Sequence, residues 1–143
     1  MRRLRLAVVF LAVAGLVDAG YLTILKIQLM QQGLGCAFGG CDVVNQSPYS
    51  VFLGVPVAAW GFLTYGLLLL LALLWRRASA QHEVWLGWSV CAVSGWGVVF
   101  SAYLTAIELF VLNAVCPFCV VSAFLIICIF VLAAIDVWRP TTD

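Results

Sequence analysis

Residues 116–138 read CPFCVVSAFLIICIFVLAAIDVW, a run whose single charge is Asp136, near its far end. A helix needs about 20 apolar residues to cross the hydrocarbon core of a bilayer, and this stretch has that length. The backbone must be helical there, because an open strand would leave N–H and C=O groups unpaired in lipid. A Cys-x-x-Cys pair, Cys116 and Cys119, therefore stands at the threshold of a membrane helix, where water ends and lipid begins.

The rest of the chain has the same character. Of its 143 residues, 66% are apolar and 9% charged, whereas soluble domains run at about 45–50% and about 25%. A soluble body of this size has no interior large enough for so much apolar side chain, so the bilayer must act as solvent. Four spans are expected, at about 6–30, 55–75, 84–110 and 116–138, with an outer loop at about 31–54. The sequence MRRLRLAVVFLAVAGLVDAG at the start also fits a signal peptide. Apolar residues resume at once in YLTILKIQLM, however, making a span too long for one. The expected fold is all-α: a single four-transmembrane-helix bundle, residues 1–143, with an outer loop carrying a mobile cysteine pair. A net charge of +1 gives no reason to expect nucleic acid as a partner.

Basic residues set orientation. With four crossings, Arg2, Arg3, Arg5, Arg76, Arg77 and Arg139 share one side, which is then cytoplasmic, as are both termini. Cys36, Cys41, Cys116 and Cys119 meet on the other side, in a compartment where disulfides persist if the cell is bacterial. Cys91 and Cys128 fall within helices and read as small apolar filler; His82 reads as part of a solvated turn. Tyr21-Leu22-Thr23 is echoed by Tyr103-Leu104-Thr105, with Lys26 and Glu108 each five residues beyond the tyrosine. These two charges either pair between helices one and three or snorkel to water, with snorkelling favoured. Asp18 lies deeper, either as a functional group or as a hydrogen-bonded tie between helices.

If the fourth helix starts at the motif, Cys116 is at its N-cap and Pro117 in its first turn, where proline is welcome. Unpaired N–H groups and the helix dipole there favour a thiolate. Gly33, Gly35, Gly39 and Gly40 surround Cys36 and Cys41. Such backbone freedom suits a shuttle, since disulfide exchange requires the sulfurs to come within bonding distance. One mobile and one anchored pair make a relay, and a relay at a membrane needs a lipid-soluble acceptor such as a quinone. Phe118, Phe124, Trp60 and Phe62 are candidate walls for its ring. Two other readings of the cysteines compete: a four-thiolate metal site and plain disulfide staples. The oxidising side and the absence of neighbouring histidines count against the first, and the glycine-rich loop against the second.

The order Cys36, Cys41, then CPFC, together with NQSPYSVFLGVPVAAWG at 45–61, resembles the vitamin K epoxide reductase family in its bacterial disulfide-forming branch. The resemblance implies an enzyme, a quinone-dependent thiol oxidoreductase of the bacterial cytoplasmic membrane, whose active site faces the periplasm or exterior and needs no metal. Cys36 and Cys41 would take electrons from a thioredoxin-like disulfide oxidase. Cys41 would then form the mixed disulfide with Cys116, and Cys119 would pass electrons to a membrane quinone such as menaquinone or ubiquinone. Ser47 matches the family's loop Ser/Thr beside the active site. Family members often carry a fused thioredoxin-like domain; this sequence stops at WRPTTD, so the partner is expected to be a separate protein. Vertebrate members carry a tyrosine four residues after the motif, where this chain has Ala123. That difference argues against assuming vertebrate-type epoxide reduction. In the unrelated four-helix quinone-linked disulfide generator the Cys-x-x-Cys pair comes first, the reverse of the order here.

Overall fold

A computed structural model describes residues 2–32 and 40–139 of the chain. Four long helices form the bundle: α1 (Arg2–Gln32), α3 (Val57–Arg77), α4 (Ala80–Ile107) and α5 (Pro117–Trp138). All four contain a stretch long and apolar enough to cross a membrane, as the sequence led us to expect. Between α1 and α3 lie a short helix α2 (Cys41–Gln46), a 3-10 turn (Pro48–Ser50) and an antiparallel hairpin of β1 (Val51–Phe52) and β2 (Val55–Pro56). The expected outer loop is thus a folded structure from Gly40 onward. Its first two residues belong to α1, and residues 33–39, including Cys36, lie outside the described residues.

Local chemistry explains the boundaries. Arg76 and Arg77 occupy the last turn of α3, where cations favour the negative end of the helix dipole. The α3–α4 turn is held by the Ser79 carbonyl, which accepts from the His82 and Glu83 N–H groups at 2.9 and 3.1 Å. Leu53 and Gly54 turn the hairpin with φ of 54° and 78°, the left-handed pair that a two-residue hairpin turn requires. At the end of α4 the spiral widens into a π-turn, Glu108–Leu112, and stops at Asn113 with φ 48°. Asparagine tolerates that conformation better than most residues. Pro117 then opens α5, with Cys116 as its N-cap.

Small residues let the helices approach. Ala12, Ala72 and Ala133 are completely buried, packed with Val8, Leu68, Trp75, Val90 and Ile129. Gly15 lies against the ring of Tyr65, so close that a Cβ there would collide with it. Close packing of small side chains replaces the hydrophobic drive that lipid cannot supply.

One end of the bundle is tied by charge. The Arg5 guanidinium is buried; it donates to Asp136 Oδ2 from Nε at 3.1 Å and from Nη2 at 3.0 Å. Nη1 reaches the Trp75 carbonyl at 3.4 Å, and Nη2 also pairs with Glu83. The group stacks 4.7 Å from the Trp75 ring centroid. One side chain of α1 therefore touches α3, α4 and α5. Arg5, read from sequence only as a marker of orientation, is also part of the interior.

Candidate active site

The opposite end holds the thiols. Gly40 donates its N–H to the Val115 carbonyl at 3.3 Å, and its bare Cα lies against the Ala114 side chain and the Val115 backbone. A Cβ at Gly40 would stand 2.9 Å from that of Ala114, so glycine is what permits this approach. The next residue on each strand of that contact is a cysteine: Cys41 opens α2 and Cys116 caps α5. The start of α2 at Cys41 and the start of α5 behind Cys116 thus lie side by side. Of Cys41 only the backbone is described.

Cys116 has no solvent exposure and packs with Leu22, Leu25, Val44 and Ala58. Cys119, one turn into α5, interacts with both Cys116 and the carboxyl of Glu108. It also forms part of the wall of a cavity of about 550 Å³, a volume within the usual range for small-molecule sites. Ser122 and Ile126 share that wall; at three and seven residues beyond Cys119 they lie on its face of the helix. Tyr65 of α3 reaches across and donates to the Ser122 carbonyl at 2.7 Å.

The other expected wall residues divide. Trp60 lines the cavity, its indole N–H donating to the Phe52 carbonyl at 3.2 Å. Ser47 lines it too, buried, with its hydroxyl on the Val44 carbonyl at 2.7 Å. Phe118 instead packs against Tyr21, with ring centroids 5.2 Å apart, and Phe62 lies over Gly20. Phe124 is 65% exposed and points away from the bundle. The reason is helical geometry: five residues from Cys119 is about 140° around the axis. Phe118, Phe124 and Phe62 are therefore not cavity walls.

Lys26 and Glu108 neither pair nor snorkel. They are 5% and 4% exposed, and both line the cavity. The Lys26 ammonium donates to the Asn45 carbonyl and to Ser50 Oγ, the latter at 2.8 Å. Glu108 Oε2 accepts the Cys116 N–H at 3.2 Å. The cation satisfies a carbonyl in the last turn of α2 and the carboxylate an N–H at the start of α5, the ends their charges suit. Sequence reasoning placed both at this depth but missed where they point. Asp18 is part-buried, and its Oδ2 has no hydrogen-bond partner among the described residues.

The bundle thus holds a hollow walled by the Cys119 thiol, with the Cys116 thiol beside it at the helix start. The family model for the vitamin K epoxide reductase family matches residues 6–134. The chain belongs to that family. As a member of the vitamin K epoxide reductase family, it is a multi-pass membrane oxidoreductase. The match extends over the four long helices and over both cysteine pairs of the sequence, Cys36 and Cys41 as well as Cys116 and Cys119.

Proposed function

We propose that this oxidoreductase reoxidises a thioredoxin-like disulfide oxidase outside a bacterial cytoplasmic membrane and hands the electrons to a membrane quinone, supporting disulfide formation. Cys36 and Cys41 accept the electrons from the partner, Cys41 exchanges with Cys116, and Cys119 faces the quinone. The arginine-rich end, with both termini, is cytoplasmic, and the thiol end faces the oxidising side.

The observation that carries this reading is the position of Cys119: one turn from Cys116, it stands at the wall of a largely apolar hollow whose other walls come from the long helices, α2, the 3-10 turn and the hairpin. A flat apolar ring fits such a hollow, and a thiol is the electron donor within reach. The Gly40–Val115 hydrogen bond supports the exchange step, since it brings the starts of α2 and α5 together. Overall, two thiols lose two electrons and two protons, the quinone gains both, and the sulfurs close a disulfide.

Replacing Cys119 with Ala tests the reading. The variant should reduce no quinone when supplied with dithiothreitol and should accumulate a Cys41–Cys116 bond, visible by peptide mass spectrometry under non-reducing conditions. Quinol formation at the native rate by this variant would remove Cys119 from its role.

A further inference from the structure

Glu108 is a carboxylate inside a membrane-spanning segment, where ionisable groups are costly and functional by default. The fold spends several features on its position. It is the first residue of the π-turn, a distortion that recurs at functional sites. Its carbonyl accepts the N–H groups of Asn113 and of Ala114, the latter at 3.1 Å, which ends α4 beneath the motif. Its side chain takes the Cys116 N–H, interacts with the Cys119 thiol and lines the same cavity as that thiol. A capping role accounts for the first of these side-chain contacts and not for the other two. A group that only capped α5 would have no need to meet both the thiol and the hollow.

We propose that Glu108 is the acid–base group of the thiol–quinone step, taking the proton from Cys119 and delivering it to a quinone oxygen. This rests on the assignment of Cys119 as the quinone-facing thiol. As the Cys119 proton passes to a Glu108 carboxylate oxygen, the sulfur electron pair forms a bond to a ring carbon. Ring electrons move onto a quinone oxygen, which takes the proton from Glu108. Cys116 then attacks the Cys119 sulfur, the S–S bond forms, the S–C bond breaks and its electron pair stays on the ring. The Cys116 proton follows by the emptied carboxylate to the second oxygen, completing the quinol. Two thiols have lost two electrons and two protons, and the ring has gained them.

The test separates proton transfer from capping. Glu108→Gln keeps an oxygen for the Cys116 N–H and removes the acid–base group. It should lower kcat for quinone reduction by about 100-fold, within the range typical of general acid–base catalysis, with KM for the quinone unchanged. Exchange with dithiothreitol in the absence of quinone should stay within about twofold of native. A Gln variant that turns over at the native rate overturns the proposal. So does one whose quinone-free exchange falls as far as its turnover, because the residue is then only a cap. Should the Gln variant fail to assemble, Glu108→Asp decides: with a carboxylate retained it must recover activity to within about tenfold of native, and an inactive but folded Asp variant overturns the assignment. Cys119→Ser run alongside distinguishes the two readings. Quinone reduction by that variant removes the premise, whereas an inactive Ser variant beside a fully active Gln variant removes Glu108 alone.

Discussion

At Lys26 an ammonium group has exchanged its water for the Asn45 carbonyl and Ser50 Oγ. A hydrogen bond from a charged donor contributes about 2 kcal/mol, enough to decide whether a six-residue helix stays folded. Lys26→Met should therefore loosen α2 and the hairpin while leaving the four long helices in place. Limited proteolysis should then cut between residues 40 and 56 faster than in the native protein, with little change in helical circular dichroism. Resistance equal to native would show that the apolar contacts of Val44 suffice. The five-residue spacing from Tyr21 and Tyr103 to Lys26 and Glu108 was legible, and so was their common depth. Their orientation was not, because the groups that receive them belong to the ends of α2 and α5, whose places depend on how the chain returns.

The long helices owe their existence to length and apolarity, properties of each segment alone. The short elements do not. A helix of six residues is far below the length that holds in water, so α2 persists through Lys26 at one end and the Gly40–Val115 contact at the other. For the same reason the stretch from 31 to 54 read as a loop in sequence: no local signal marks an element stabilised only by neighbours. The π-turn is a similar case. It ends at Asn113 in the left-handed region, a conformation that costs most L-residues about 1–2 kcal/mol and a β-branched one at least that. Asn113→Val should lower the melting temperature of the purified protein, and Asn113→Gly should leave it near native. Equal melting of the two variants would mean that the turn relaxes to accommodate the branch.

Across the whole molecule, order and openness are divided between the two ends. One end is closed by Arg5, Asp136, Glu83 and the Trp75 ring; the middle is packed through Ala12, Ala72 and Ala133; the thiol end is hollow. Removing one partner from a buried ion pair leaves the other charge uncompensated and costs about 3–5 kcal/mol. Asp136→Ala should accordingly lower the melting temperature sharply. The double replacement Arg5→Met with Asp136→Leu should restore most of the loss, since apolar pairs of similar volume commonly replace buried ion pairs without penalty. A double variant as unstable as the single one would make the charges themselves indispensable. The sequence by itself determined the four spans, the shared end of the arginines and the entry of α5 at Cys116 and Pro117, because these follow from the length, apolarity and capping chemistry of contiguous residues. Only the tertiary structure decided that Arg5 is interior, that Phe118 and Phe124 turn from the cavity, and that Glu108 meets both the Cys116 N–H and the Cys119 thiol. Those facts depend on helix rotation and on contacts between residues far apart in the chain, and no local pattern encodes either.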